Sequence, residues 1–347
     1  MKRAIFLGPV LAAGIALAAG CGGGGGNRVL NVYTWADYIK PEVVQRFEQA
    51  EKCRVVIDTF DSNEAMYAKL KAGASGYDII TPSSYMVNIM AGQDLLQPLD
   101  RTRLPNLTNV DPEYLAIALD KDMKWSAPYM LTNSGVAYLK SKVENVEPTW
   151  AVFDRADLKG RMTMLNDMRE TVGAALKFLG YSLNTTDDAQ LAEARDVVIR
   201  WKHNLAKFEN EQYKSGIASG EFLLVHGYNG DILQAQAENP DIVFVAPREG
   251  ISVACDDLVI PKDATQVELA HKFINFLHDP EVAAENSVFI TYLCPNRAAY
   301  DLLPADFRDN PAWKLAPETR ARSEVIVDLG AENAKYTRIW DEIKAAP

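Results

Sequence analysis

From Arg28 onward the chain alternates short β-type runs with amphipathic helical segments, and this alternation is the tightest constraint on its fold. A strand that returns beside its predecessor after a helix must lie parallel to it, so the pattern calls for α/β architecture. Strands are expected at Arg28–Tyr33, Arg54–Phe60, Asp78–Thr81, Gly135–Leu139, Arg161–Leu165, Phe222–Val225, Ile242–Val245 and Leu258–Ile260. Helices are expected at Pro41–Glu51, Asn63–Lys71, Tyr85–Ala91, Glu170–Leu179, Asp187–Leu205, Val267–Leu277, Glu281–Val288 and Glu332–Lys344. Pro41 suits a first helical turn, and Thr185-Thr186 stand where a cap belongs. Over 347 residues two such lobes are more economical than one large sheet.

In open α/β sheets, ligands sit beyond the carboxyl ends of the strands. The residues there are unusual. Trp35, Asp37 and Tyr38 follow the first strand; Ser83 and Tyr85 follow Asp78–Thr81; Asp167, Arg169 and Glu170 follow Arg161–Leu165. Tyr228 and Asp231 follow Phe222–Val225, Asp256 and Asp257 precede Leu258, and Tyr292 lies near the end. Aromatic faces attract ammonium groups and carboxylates take charge-assisted hydrogen bonds from them, so a cleft with this lining suits an organic cation. Any one of these residues alone is as readily a packing aromatic or a helix-capping Asp.

The N-terminus reads as an address. Lys2 and Arg3 precede the apolar run Ala4–Ala19, which is short for a membrane span. Small residues lead to Cys21, as in a bacterial lipoprotein signal, although Ala18 stands where an aliphatic residue is usual. The expectation is a signal peptide over 1–20, an acylated Cys21, and a glycine-rich tether through 27. Net charge is −11 with a pI near 5.0, which argues against nucleic-acid binding. The remaining cysteines, Cys53, Cys255 and Cys294, form no CxxC pair and so no zinc ribbon or thioredoxin motif. His271 and His278 are expected to be exposed, and His226 is a candidate ligand neighbour. There is neither a GxSxG elbow nor a phosphate loop.

Taken with the strings Tyr33-Thr34-Trp35-Ala36-Asp37-Tyr38, Ser62-Asn63-Glu64-Ala65-Met66-Tyr67-Ala68-Lys69-Leu70, Tyr77-Asp78-Ile79-Ile80-Thr81-Pro82-Ser83-Ser84-Tyr85 and Leu179-Gly180-Tyr181-Ser182-Leu183-Asn184-Thr185-Thr186-Asp187, the sequence resembles the periplasmic polyamine-binding proteins of bacterial ABC transporters. The resemblance runs from about Val29 to Lys344. It implies a type II periplasmic-binding-protein fold: two lobes, each a mixed, mainly parallel sheet flanked by helices, with the ligand cleft between them. One lobe would take residues 28–132 and 257–301, the other 133–256 and 302–347. Carried over position by position, Trp35, Tyr38, Tyr85 and Tyr292 match aromatic walls of the channel. Asp37 matches an acid beside the first wall, and Ser83 a polar contact. Asp167 and Glu170 match carboxylates of the second lobe, and Asp256 the acid that grips an inner amine. Tyr228 falls where the family usually has Trp, and Asp231 matches an acid of the putrescine-type branch. Two positions depart: Ala254 replaces a usual Trp, and Ile326 aligns near a usual Gln.

The implied function is extracytoplasmic capture of a putrescine- or spermidine-type polyamine for an ABC permease, by a lipid-anchored monomer that uses no cofactor, holds no metal and is not an enzyme. Other readings remain open at this level: thiamine, an opine, a capped amine or a ferric ion on the same fold; a glycosidase using Asp167 and Glu170; or an interaction lipoprotein with a vestigial cleft. A Cys255–Cys294 disulfide is a further expectation to be set against two buried free thiols.

Overall fold

A computed structural model describes residues 28–347. The expected signal peptide, acylation of Cys21 and tether therefore fall outside the described residues. Among the described residues, no helix is long and apolar enough to cross a membrane.

The first half runs β1 (Arg28–Thr34), α1 (Pro41–Glu51), β2 (Cys53–Thr59), α2 (Asn63–Lys71), β3 (Ile79–Ile80), α3 (Ser84–Gly92), β4 (Leu96–Gln97), α4 (Pro112–Leu115) and β5 (Ser126–Leu139). Then come β6 (Met162–Met164), α5 (Met168–Phe178), α6 (Asp188–Lys202), β7 (Leu205–Phe208), α7 (Gln212–Ser219), β8 (Leu224–Tyr228), α8 (Asn229–Glu238) and β9 (Ile242–Val245). The chain ends with β10 (Ser252–Pro261), α9 (Val267–Leu277), α10 (Pro280–Ile290), α11 (Ala305–Arg308), α12 (Pro317–Arg322), β11 (Glu324–Val325) and α13 (Asn333–Ala345).

Strand order is β2-β1-β3-β10-β5-β8-β6-β7, with β4 and β11 on β10 and β9 on β5. Pairing inside each half is parallel: β1 with β2 and β3, β6 with β7 and β8. Every antiparallel ladder among the described residues involves β5 or β10. These two long strands pair with each other and pass from one half to the other. One lobe packs a core around Leu30, Val32, Phe47, Phe273 and Ile260; the other packs around Trp150, Phe153, Trp201 and Tyr336.

The crossover strands are longer than hydrophobic patterning predicts, and the reason is polar. Thr132, Asn133 and Ser134 are buried in the middle of β5. The Asn133 N–H donates to Asn229 Oδ1 at 3.1 Å and its Nδ2 donates to the Ala312 carbonyl at 3.0 Å. Asp256 and Asp257 likewise interrupt β10, where a register shift lies between them. Buried polar groups are tolerated when partnered, so a strand can run through residues that look like a loop.

Several expectations are corrected. The helix expected over Asp187–Leu205 stops at Lys202, and Leu205 opens β7 instead. Its cap is Asp187, whose carboxylate accepts from Ala189 and Gln190 N–H, rather than Thr185-Thr186. His271 and His278 are buried, not exposed. Backbone groups hold them there: Asp100 N–H donates to His271 Nε2 at 2.9 Å, and His278 Nε2 lies 2.7 Å from the Pro128 carbonyl. His226 is also fully buried, on β8 against Trp150, where burial pulls its pKa down to about 3; it does not line the cleft, which corrects the expectation of a ligand neighbour. Cys255 and Cys294 are both buried free thiols, which corrects the disulfide expectation. The Cys255 Sγ points to the Asp256 carbonyl at 3.4 Å.

Candidate ligand-binding cleft

All eleven residues carried over by the resemblance line one cavity of about 360 Å³. They are Trp35, Asp37, Tyr38, Ser83, Tyr85, Asp167, Glu170, Tyr228, Asp231, Asp256 and Tyr292. Ala254 and Ile326, the two departures, line it as well.

The first pole is built around Asp256. Its Oδ2 accepts from the Tyr38 hydroxyl at 2.5 Å and its Oδ1 from the Ser83 hydroxyl at 2.6 Å. Ser83 is fixed in turn by Asn63, whose Oδ1 accepts the Ser83 N–H at 3.1 Å. Burial pushes Asp256 up to about 6, and the two hydroxyls moderate the rise. Its neighbour Asp257 turns instead to Ser84, at 2.5 Å, and burial pushes it up to about 8. At neutral pH Asp256 is therefore the charged member of the two.

The second pole is the start of α5. Asp167 is its N-cap, with Oδ1 accepting from Arg169 and Glu170 N–H at 2.9 and 3.0 Å. This cap role was the plain structural alternative for an Asp after a strand, and here one residue serves as cap and cleft wall together. Glu170 Oε2 accepts hydroxyls from Ser134 and Ser252, both at 2.6 Å. Burial first and the Asp167 charge second push Glu170 up to about 7. Carboxylates raised this way are short of a counter-charge, and a cation entering the cleft supplies one.

Aromatic rings connect the poles. Trp35 packs on Phe60 with centroids 4.4 Å apart, and Tyr38 meets Tyr292 edge-on at 5.7 Å. The Tyr85 hydroxyl donates to Glu64 at 3.0 Å. Tyr38, Tyr85, Tyr228 and Tyr292 all have phenol pKa values raised, chiefly by burial, so they face the cleft neutral.

The lobes touch at one rim. Tyr292 follows Thr291, which ends α10 at φ 62°. Its hydroxyl donates to Asp231 Oδ1 at 3.2 Å, while the Thr291 hydroxyl donates to the Gly230 carbonyl at 2.7 Å. A Cβ on Gly230 would stand 2.1 Å from the Tyr292 ring, so only glycine permits this approach. On the same side Lys214 pairs with Asp37 at 3.7 Å.

Sequence reasoning missed Phe60, Asp61, Thr132, Asn210, Glu211 and Lys214, all of which line the cavity. Phe60 and Asp61 follow β2 and satisfy the strand-end rule already in use. Asn210 and Glu211 follow β7, which was hidden inside an overlong helix. Thr132 sits within β5, where no strand-end rule reaches it.

Seven carboxylate side chains line the cavity against two cations, Arg169 and Lys214. Arg169 is already committed: its Nη1 donates to the Val327 carbonyl at 3.0 Å and its Nη2 to Asn184 at 2.8 Å.

Known proteins resemble this chain in sequence and fold. Residues 42–316 match the family described as bacterial extracellular solute-binding protein. The putrescine/cadaverine-binding protein of Pseudomonas aeruginosa is 34% identical, covering 99% of each chain. The putrescine-binding periplasmic protein PotF of Escherichia coli is 32% identical, covering 92% of each. Among solved structures, the Tp0655 (TpPotD) lipoprotein of Treponema pallidum is 35% identical with a TM-score of 0.82, covering 91% of this chain and 99% of that one. The chain belongs to the bacterial extracellular solute-binding proteins and, within them, stands with the putrescine- and spermidine-binding periplasmic proteins.

Proposed function

We propose that this protein captures a polyamine outside the cytoplasmic membrane and delivers it unchanged to an ABC permease. The supporting observation is the composition of the cleft: two buried acidic poles joined by aromatic walls, with little cationic charge of its own. An ammonium group suits each pole, and the alkyl chain between them suits the rings. The eleven residues named for the cleft are the proposed contacts, with Asp256 and Asp231 at one end and Asp167 and Glu170 at the other. Relatives of similar sequence carry putrescine, cadaverine or spermidine in their names.

The lobes are proposed to divide near Thr132 on β5 and Asp256 on β10, giving 28–132 with 257–301 and 133–256 with 302–347. Ligand contacts to both lobes favour the closed arrangement, which is a population shift rather than chemistry. The signal over 1–20, lipid on Cys21 and a monomeric state complete the reading, with a lipoprotein of Treponema pallidum among the similar structures.

The test is calorimetry on protein unfolded and refolded to strip carried ligand, titrated in turn with putrescine, cadaverine, spermidine and spermine. Micromolar or tighter binding of at least one is expected. No heat from any would reject the polyamine, and mass spectrometry of co-purifying solutes would then look for another organic cation.

A further inference from the structure

A second cavity lies on the opposite face of the crossover strands. It measures about 530 Å³, against about 360 Å³ for the cleft. Ala254 lines both. Along β5 the faces alternate: Thr132 lines the cleft, while Leu131 and Asn133 line the second cavity. The two spaces are therefore back to back across one sheet layer, which is thin where Ala254 carries only a methyl group.

The walls of this cavity come from both lobes. Tyr114, Leu293 and Tyr300 stand on one side; Trp313, Leu315 and Val325 stand on the other. The lining is mostly apolar, and three of its five charged groups already have hydrogen-bond or ion-pair partners. Asp111 accepts from the Tyr300 hydroxyl at 2.9 Å, Lys314 pairs with Asp309 at 2.8 Å, and Glu324 pairs with Lys177 at 2.6 Å. Glu113 and Arg320, opposite in sign, are exposed at the edge. A few hundred cubic ångströms of apolar and aromatic wall, its two unpartnered charges of opposite sign at the edge, is the chemistry of a site for a neutral aromatic molecule.

Its position gives it leverage. Tyr292 rests on Gly230 at the cleft rim, so the lobes here are together in front and apart behind. Rotation about β5 and β10 that opened the cleft would bring the rear walls together. A molecule between those walls opposes that rotation, and whatever favours closure favours the cleft ligand reciprocally.

We propose that this hinge-side cavity is a second ligand site, that it takes a small uncharged aromatic molecule of one or two rings, and that its occupation tightens ligand binding in the cleft. The coupling half rests on the polyamine reading; the site itself does not.

The probe is indole. Its binding to the purified protein is followed by saturation-transfer NMR, and putrescine is titrated calorimetrically with and without saturating indole. The wild type is expected to bind indole and to show a putrescine Kd lowered threefold or more. Leu315→Trp, which fills the cavity from its outer wall, is expected to lose indole binding and keep putrescine binding. No indole binding, or indole binding unchanged in Leu315→Trp, overturns the site. Indole bound without effect on putrescine, or with a weakening effect, overturns the coupling. If putrescine fails to bind the wild type in either condition, cadaverine, spermidine and spermine are titrated in its place; failure of all four would reject the polyamine reading instead, and the indole arms would still decide the site.

Discussion

Asp256 and Glu170 are both buried carboxylates, each holding two hydroxyl groups, yet they hold them differently. Asp256 spends one oxygen on Tyr38 and the other on Ser83. Glu170 gathers Ser134 and Ser252 on Oε2 alone. Asp256 is a carboxylate completed from both sides, whereas Glu170 Oε1 takes no hydroxyl and has Asp167 as an acidic neighbour. Burial is the main cause of a similar rise in both, to about 6 for Asp256 and to about 7 for Glu170, whose ordinary value is itself the higher. The first pole is pre-organised by hydroxyls on both of its oxygens; at the second, both hydroxyls sit on one oxygen and Oε1 is left for an incoming cation. Under the polyamine reading, two acids of similar burial would divide the work of gripping a dication according to how their hydroxyl partners are placed.

Removing the pre-organised pole should cost most. Asp256→Ala is expected to weaken putrescine binding by ~2–5 kcal/mol, since an ammonium group would be left in a dry cleft without its counter-charge. Calorimetry measures it, and unchanged affinity would remove Asp256 from the site. Gly230→Ala comes next. The added methyl overlaps the Tyr292 ring and should hold the lobes apart, weakening binding by ~1–3 kcal/mol while leaving the fold intact by circular dichroism.

The second pole should reveal itself through pH. Glu170 and Asp256 have folded pKa values above the ordinary carboxylate range, so the folded chain retains protons that the unfolded chain has released. Between about pH 4.5 and 7 these groups lower the stability of the unliganded protein as pH rises, while affinity for a cation increases. Glu170→Gln should therefore gain Tm relative to wild type at pH 8 more than at pH 5, and its putrescine affinity should depend less on pH. Identical profiles for variant and wild type would break the contrast between the poles. Trp35→Ala is expected to cost the least, about 1–2 kcal/mol of binding, because it removes a cation–π wall and no charge.

Most of the cleft was legible in the sequence because strand ends are marked by the apolar runs that precede them. Trp35, Tyr85, Asp167 and Tyr228 are all reached in that way. What was not legible is what breaks those runs. The polar centres of β5 and β10 are buried only because partners far along the chain satisfy them, Asn229 for Asn133 and Ser83 for Asp256. The turn into β7 was hidden because α6 leads to it through His203 and Asn204, which patterning reads as more helix. The buried histidines were misread for a similar reason: their partners, Asp100 and Pro128, come from other elements. Local pattern locates elements; long-range polar pairing decides where the hinge strands run.

The most direct measurement compares putrescine with 1-aminobutane, which has the same four-carbon chain and one charge fewer. With two acidic poles engaged at once, the monoamine should bind at least ~100-fold more weakly at pH 8. Equal affinities would mean that only one pole grips the ligand, and the two-pole cleft would be wrong.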